Sequence, residues 1–453
     1  MRKKTFVKCV ILGLIGFSGS ALASGFQLFE ADGAGVGDFY AGGAAEADSA
    51  STAFFNPAGL VRIPHPELSV SGIGIFSRSE FSGQSIWSTN SALSVYGQYR
   101  QTGTAQGGTE SIVPAVDFAM PINNEFFFGF SQSVPFGLSS EYDNNSFVRY
   151  AATKSLVQVI DLSPVIAFKV TDKFSIGAGP DFDHVDATFD SMAGLPAFAR
   201  VAGLAADAYD SKSENNASGW GTGWHAGLLY QFTPCTRVGL TYHSKVSFTV
   251  DGSSTLKGPL AGGISTLSSP VFGEYSNDNL TADTTLPAST MLSVYQQINS
   301  AWAIMGSVVY TEWGVFDHLT LNNVQSINSS FAPSQIAVNI PQAFQNTWRG
   351  ALGVSYIPAE NWKLRAGVGY DQNPTVPEER NIRLPDGNRT AVSLGAHYQA
   401  TKAFGIDAGW THLFFQDADV NVTQTSGSQI VQTIGTSKTC ADLVGLQLTW
   451  DFV

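Results

Sequence analysis

Residues Trp362 to Asp371 read Trp-Lys-Leu-Arg-Ala-Gly-Val-Gly-Tyr-Asp, and this stretch decides the fold. Its larger apolar residues occupy the even positions, and small, polar or charged residues occupy the odd positions between them. A period of two indicates a β-strand that presents one set of side chains on each face. The same alternation recurs at 219–232, 346–357, 389–399 and 403–414, so we expect an all-β chain.

The composition decides which face of these strands meets solvent. Only 13% of the residues are charged, 12% are aromatic and 46 are glycine, and no stretch after the first residues approaches the roughly 20 apolar residues of a membrane-spanning helix. A soluble β-sandwich would turn its apolar face inward. Here the polar face is rich in Gly and Ser, and aromatic residues lie at strand ends, which is typical of membrane barrels. We therefore predict that the apolar side chains face lipid.

Fourteen such strands can be counted, an even number as in bacterial barrels. They are expected at about 67–77, 113–122, 125–134, 155–170, 174–184, 219–232, 236–249, 286–298, 301–314, 346–357, 361–371, 389–399, 403–414 and 441–452. Very short connections alternate with long ones, which indicates periplasmic turns, extracellular loops and both termini in the periplasm. The prediction is a 14-stranded antiparallel transmembrane β-barrel in a bacterial outer membrane. A disulfide between Cys235 and Cys440 is not expected, because opposite ends of the barrel separate them.

The start of the chain has the pattern of a secretory signal peptide. Basic residues precede an apolar run from Val10 to Phe17, and Ala21-Leu22-Ala23 forms a small-residue cleavage site. We expect residues 1–23 to be the signal peptide, 24–64 a separate N-terminal segment, and 65–453 the barrel with its long loops. Removal of four basic residues with the leader leaves an acidic chain, so no nucleic acid partner is expected.

Residues 24–64, which we call the hatch, are rich in Gly and Ala and show no alternation. Fourteen strands enclose a lumen too wide for wall side chains alone to fill, so this segment is predicted to plug it. The alternative is a loose periplasmic tail, but Phe26 and several other aromatic residues would then be exposed to water without any packing partner.

Three segments resemble a known family. They are GFQLFE from Gly25, FFNPAGL from Phe54 to Leu60, and GYDQNPTVPEERNIRLPDGNR from Gly369 to Arg389. Their sequences are similar to those of the FadL family of outer-membrane long-chain fatty acid transporters, which includes the TodX-type aromatic hydrocarbon channels. The resemblance implies an outer apolar groove, an inner binding pocket and lateral escape of the ligand beside a kinked third strand. It also implies a gating role for the hatch, which we assign to Phe26, Asn56, Pro57 and Ala58.

Two long loops are apolar for segments outside a cell. We expect them to capture the ligand, although they can equally bury each other as a lid. The residues assigned to capture are Leu195, Phe198, Val201, Leu204, Leu260 and Phe272, with helical spacing after Pro196.

A fatty acid carboxylate needs a cation or amide at one end of an apolar slot. Strand parity turns His243 and Arg349 toward the lumen, and Arg389 begins a strand at the outer rim. These three are the candidates for the ligand carboxylate. The alternative is that they pair with the aspartates that face the same interior.

The third strand is followed by Pro135-Phe136-Gly137. Proline cannot donate to a β-ladder and glycine weakens it, so pairing should break here. The break is predicted to open the lateral exit, unless the strand simply ends in the following loop.

No catalytic, nucleotide-binding or metal-binding motif is found, so we expect no enzyme, no cofactor and no metal site. The predicted function is passive uptake of long hydrophobic molecules, with long-chain fatty acids first. The alternatives are an aromatic hydrocarbon channel, a hydrophilic porin, a surface adhesin or phage receptor, and an outer-membrane hydrolase. We expect a monomer whose partners are the ligand, outer-membrane lipid and lipopolysaccharide, and the barrel-assembly machinery.

Overall fold

The computed structural model describes residues 25–262, 271–328 and 332–452. Within these ranges the chain forms twenty β-strands. In chain order they are β1 (Glu67–Thr89), β2 (Tyr99–Gln106), β3 (Glu110–Pro121), β4 (Phe126–Glu141), β5 (Lys154–Lys169), β6 (Phe174–Ala193), β7 (Ser211–Thr233), β8 (Thr236–His243), β9 (Val246–Gly258), β10 (Gly273–Leu286), β11 (Ser289–Gln297), β12 (Trp302–Thr311), β13 (His318–Ile327), β14 (Pro333–Pro341), β15 (Thr347–Ala359), β16 (Trp362–Asp371), β17 (Arg389–Thr401), β18 (Phe404–Phe415), β19 (Ala418–Ser426) and β20 (Gln429–Asp451).

Fourteen of these strands close into an antiparallel barrel, which confirms the predicted fold. The ring runs β1, β3, β4, β5, β6, β7, β8, β11, β12, β15, β16, β17, β18 and β20, and β20 pairs with β1 to close it. Six short turns connect strands at one end, which we call the turn end, and β1 begins and β20 ends there. The loops at the opposite end, the loop end, contain the other six strands, which extend the wall beyond the barrel.

The side chains face the directions predicted from the alternation. Leu364 and Leu394 are 40% and 56% exposed on the outside, whereas Arg365 and Ser393 are buried toward the lumen. Aromatic pairs such as Trp302 and Tyr356, whose rings lie 4.3 Å apart, occupy the outer surface near strand ends. Such rings are typical of the interfacial girdles of membrane barrels.

The predicted seventh strand, 236–249, is divided in the structure. It breaks at Ser244 and Lys245, and the parity of burial reverses across the break: Arg237 and Thr241 face inward before it, and Phe248 faces inward after it. Beyond the barrel the large side chains of β9 no longer have lipid to face. They turn inward instead and cover the interior beneath the loops.

The hatch fills the lumen. It contains short helical turns at Gly35–Asp38, Gly43–Glu46, Thr52–Phe55 and Pro57–Arg62. Glycines of the wall allow it to approach closely: a Cβ on Gly227 would lie 1.8 Å from Asn56 Oδ1, and one on Gly239 would lie 1.7 Å from the Ala44 carbonyl oxygen. The glycine-rich lumen face thus accommodates the backbone of the hatch.

Among the described residues, no helix is long and apolar enough to cross a membrane. The predicted signal peptide, 1–23, lies outside the described residues. Cys235 and Cys440 are both free thiols, as expected from their separation.

Candidate ligand site, hatch and side gap

An apolar cavity of about 910 Å³ lies toward the loop end of the barrel. Its walls are aliphatic and aromatic side chains from the extended strands, from the hatch and from the loop between β16 and β17. They include Phe26, Leu138, Val157, Val185, Phe189, Phe248, Val250, Leu280, Ala282, Leu286, Phe316, Leu319, Leu321, Ile340, Phe344 and Leu384.

Arg383 is the one charged residue among the described residues that line this cavity. Its Nη1 donates to the carbonyl oxygens of Lys154 and Asp190, at 3.0 and 3.2 Å, and to Ser155 Oγ at 2.9 Å, and its Nη2 donates to the Ala151 carbonyl oxygen at 3.1 Å. Burial lowers the pKa of Arg383 to about 10, so the side chain remains a cation at neutral pH.

The Nε atom of Arg383 is buried and has no hydrogen-bond partner in the described part of the chain. Buried polar groups are usually satisfied, so a donor of this kind calls for a physical explanation. The surrounding backbone is firmly held, because Ser140 Oγ donates to the Arg383 carbonyl oxygen at 3.0 Å and Tyr142 Oη donates to the Ile382 carbonyl oxygen at 2.8 Å. The cavity therefore combines long apolar walls with a fixed cation, which is the arrangement that an amphiphilic anion requires.

A second cavity of about 640 Å³ lies on the other side of the first hatch residues. Phe26 lines the apolar cavity, whereas Gln27, Leu28 and Phe29 line the second one. The Phe26 ring packs against Trp313 at 4.9 Å and Phe316 at 5.3 Å between ring centroids. The N-terminal segment therefore lies between the two cavities.

A gap in the wall adjoins the second cavity, and we call it the side gap. The ladder between β3 and β4 runs from Pro121 and Phe127 to Val116 and Gln132 and does not continue beyond that pair. Toward the loop end, β4 instead contacts the connection between β2 and β3, where Glu141 N donates to the Gly107 carbonyl oxygen at 3.2 Å. Residues 110–115 and 133–138 flank the side gap.

The predicted break at Pro135-Phe136-Gly137 lies in this gap. The register of β4 against β5 shifts between Ser133 and Phe136. The hatch pairs with the same residues: Leu28 N donates to the Pro135 carbonyl oxygen and Gly137 N donates to the Phe26 carbonyl oxygen, both at 2.8 Å. The strand continues to Glu141 rather than ending, so the break is a kink within β4 that the N-terminal segment covers.

Asn56 anchors the hatch to the wall. Its side chain is fully buried, and Nδ2 donates to the carbonyl oxygens of Ala44 at 2.6 Å and Leu228 at 3.0 Å. Its Oδ1 accepts from Ala58 N at 3.1 Å, which caps the turn that Pro57 begins. The Asn-Pro-Ala motif thus fixes one hatch turn internally and ties it to β7.

A network of buried and partly exposed ion pairs holds the turn-end part of the hatch. Arg365 lies 2.7 Å from Asp407 of the wall and 3.1 Å from Asp48 of the hatch, and Lys363 pairs with Glu46 and Asp48. These contacts join the hatch to β16 and β18. The two lumen cations of β16, Lys363 and Arg365, therefore pair with carboxylates.

The three residues predicted to bind the ligand carboxylate have different surroundings. His243 lines the second cavity. Arg349 donates to the Phe39 carbonyl oxygen at 2.9 Å and stacks on Phe39, and Arg389 lies 3.3 Å from Asp371. Neither arginine is among the residues that line the apolar cavity or the second cavity.

The capture residues are divided between an inner cluster and the surface. Leu195, Phe198 and Leu260 are buried together under the loops, and Leu204 packs against that cluster. Val201 and Phe272 are 65% and 67% exposed. Residues 263–270, in the loop between β9 and β10, lie outside the described residues. The buried majority has the arrangement expected of a lid, and Val201 and Phe272 remain open to solvent.

Sequence reasoning missed Arg383 and the inward faces of β9, β10 and β13. Arg383 lies inside the segment Gly369–Arg389 that carries the family resemblance. The resemblance therefore pointed to this segment, but strand parity did not distinguish Arg383 from its neighbours. The apolar residues of β9 and β10 alternate like those of the barrel strands, and only the structure shows that they face the interior.

Comparisons with known proteins agree with this architecture. The family model "Outer membrane protein transport protein (OMPP1/FadL/TodX)" matches residues 14–452. Outer membrane protein P1 of Haemophilus influenzae is 30% identical over 96% of both chains, and a long-chain fatty acid transport protein of Escherichia coli is 28% identical over 94% of this chain and 95% of its own.

Solved structures show the same fold. A Pseudomonas aeruginosa FadL homologue superimposes with a TM-score of 0.78 at 27% identity, over 95% of this chain and all of the other. The Pseudomonas putida toluene transporter TodX gives a TM-score of 0.67 at 17% identity over 93% and 99%, which supports the fold alone. The chain therefore belongs to the OMPP1/FadL/TodX family and is a β-barrel transporter of hydrophobic compounds in the outer membrane of a Gram-negative bacterium.

Proposed function

We propose that the protein takes up long-chain fatty acids passively and performs no catalysis. The observation that carries the proposal is the pairing of apolar walls with one lining cation, Arg383, in the apolar cavity. A carboxylate placed there gains charge-assisted hydrogen bonds, and the alkyl chain leaves water at about 0.8 kcal/mol per buried CH₂.

The proposed route begins at the loops. Val201 and Phe272 contact the ligand first, and the inner loop cluster opens to admit it to the apolar cavity. Displacement of Phe26 and Leu28 then breaks their hydrogen bonds with β4 and connects the two cavities to the side gap. Release through the gap delivers the ligand into the bilayer, which avoids the hydration cost of direct entry into the periplasm.

In this proposal Asn56, Pro57 and Ala58 keep the rest of the hatch in place while its first residues move. Since Asn56 holds both Ala44 and Leu228, the lumen remains occluded to water and ions. A hydrophilic porin would require an open lumen. His243 is retained as a polar lining group of the second cavity, and Arg349 and Arg389 are assigned to holding the wall and hatch. The proposed partners remain lipopolysaccharide and the barrel-assembly machinery, and the proposed state is a monomer.

An aromatic hydrocarbon channel is the second candidate, because toluene transporters share the fold. A toluene-like ligand has no charge to place beside Arg383, so the lining cation favours the fatty acid. The two candidates differ in what competes for the cavity.

The test is equilibrium binding of radiolabelled palmitate to the detergent-purified protein, with hexadecanol and toluene as competitors. We expect palmitate to bind more tightly than the alcohol and toluene to compete weakly. Replacing Ala282 by Phe should fill the cavity and abolish binding, whereas Ala408→Phe on the lipid face should leave it unchanged. Equal competition by toluene, or undiminished palmitate binding by the Ala282 variant, contradicts the proposal.

The exit is tested separately in cells. Replacing Pro135-Phe136-Gly137 with Val-Thr-Val should allow β4 to continue its ladder against β3 and close the side gap. We expect uptake of labelled palmitate to be lost while binding by the purified variant persists. Unchanged uptake would reject lateral release.

A further inference from the structure

A cluster of acidic and histidine side chains lies beside the second cavity, on the barrel wall opposite the hatch turn Thr52–Phe55. Asp181 of β6, His225 of β7 and His243 of β8 each present one ligand atom, and these atoms all lie within 4.8 Å of one another. Asp161 and Asp183 line the same cavity as Asp181 and His243. From this geometry we propose that Asp181, His225 and His243 form a binding site for a divalent transition-metal cation of the Zn²⁺ class.

The charges of the cluster are the first argument. Asp161, Asp181 and Asp183 are all at most 5% exposed, and within the described ranges none of them forms an ion pair with a lysine or arginine. Asp161 Oδ1 and Asp183 Oδ2 are buried without a hydrogen-bond partner there. Buried carboxylates are normally paired or coordinate a metal. A divalent cation bound here would provide a partner for these carboxyl oxygens.

The orientation of the imidazoles is the second argument. His225 Nε2 hydrogen-bonds with the Ala53 carbonyl oxygen at 2.9 Å, and the His243 ring packs against Phe54 at 5.1 Å between ring centroids. A histidine that binds a metal usually gives its other ring nitrogen to a carbonyl or carboxylate, which fixes the ring. The hatch supplies that second contact to His225. The remaining nitrogen of His225 is 2.5 Å from Asp181 Oδ1.

The residue types select the metal. Imidazole nitrogen suits Zn²⁺, Cu²⁺, Ni²⁺ and iron, whereas Ca²⁺ and Mg²⁺ prefer oxygen ligands. Two atoms bound to one Zn²⁺ at about 2 Å each lie at most about 4 Å apart, so the three ligand atoms, which now lie within 4.8 Å of one another, would draw closer together on binding. The rings of His225 and His243 are stacked at 4.6 Å between centroids, so the two imidazoles are direct neighbours within the cluster.

This site departs from the expectation that the chain binds no metal. Its three residues come from three adjacent strands and are separated by 44 and 18 positions, so no local motif marks them. Occupancy would join β6, β7 and β8 to one another and, through the hydrogen bond of His225 with Ala53, to the hatch turn.

The experiment is titration of Zn²⁺ alone into the chelator-stripped, untagged protein in detergent, by calorimetry and with metal content measured by mass spectrometry. We expect one Zn²⁺ per chain, and a loss of affinity of at least about 10-fold in both His243→Gln and Asp181→Asn. His412→Gln is the matched control, since His412 also lies beside a carboxylate, Asp442 at 2.8 Å, but outside this cluster. That variant should bind as the wild type does.

Absence of saturable binding by the wild type overturns the proposal, as does unchanged affinity in both cluster variants. Should a variant fail to fold, Co²⁺ bound to the wild type provides an independent measurement. Intense visible bands of a four-coordinate ion support the site, and only the weak bands of six-coordinate aqueous Co²⁺ reject it.

Discussion

The role of Arg383 leads to a prediction that can be worked out in detail. Replacing Arg383 by Leu removes the cation from the apolar cavity while keeping an apolar side chain there. Hydrogen bonds to charged groups contribute about 1.5–3 kcal/mol, so the dissociation constant for palmitate should rise about 10- to 150-fold. Hexadecanol has no charge, and its affinity should change little.

The comparison of the two ligands separates recognition from structure. Arg383 also donates to the carbonyl oxygens of Lys154, Asp190 and Ala151, so the substitution costs some stability. Distortion of the cavity would weaken the acid and the alcohol together. Competition binding to the same purified variant therefore measures the charge alone, and an equal loss for both ligands, or no loss for the acid, would refute the assigned role.

Three further predictions concern the hatch and the cavity. Gly227→Ala places a methyl group against Asn56 and should raise the conductance of the barrel in planar bilayers. Gly350→Ala is the control, because its methyl group would meet nothing within 4 Å. Equal conductance of the two variants would contradict the close fit between hatch and wall. Arg365→Met removes the 2.7 Å partner of buried Asp407, which retains His397 at 2.9 Å, so the loss of stability in denaturant should be at most about 3–5 kcal/mol. Lys169→Met, in an exposed pair, should cost only about 0–1 kcal/mol, and equal effects of the two variants would contradict a stabilising role for the buried pair. Lengthening a short fatty acid by two CH₂ groups should tighten binding about 15-fold until the cavity is full, and an affinity independent of length would exclude an apolar slot.

The barrel was predictable because lipid imposes a simple rule on every wall strand. One face must be apolar along the whole span, so the alternation at Trp362–Asp371 and its equivalents predicts both strands and orientation. The closed ring of fourteen strands confirms this.

Outside the membrane that rule no longer applies. Phe248 and Val250 of β9 alternate as barrel residues do, yet they face the interior, because the wall there encloses a cavity beneath the loops. Alternation alone cannot report which face is enclosed. The prediction therefore joined β8 and the first four residues of β9 into a single strand.

The site was less predictable because it depends on what fills the lumen. The alternation correctly predicted that Arg349 and Arg365 face inward. It could not show that a hatch carbonyl oxygen or a wall carboxylate already binds each side chain. Arg383 lies in a loop, where no periodicity exists. The cluster at His225 forms because adjacent strands pair in a particular register. The sequence spacing of its three residues does not predict that they meet.

The central claim, that a long-chain fatty acid occupies the apolar cavity, is tested most directly by photo-crosslinking. A palmitate analogue with a photoreactive group on its alkyl chain is irradiated with the purified protein, and the labelled residues are mapped by mass spectrometry. We predict labels on Phe248, Leu280 and Leu319, and their loss when excess palmitate is added. Labels confined to lipid-facing residues such as Leu364 and Leu394 would contradict the account.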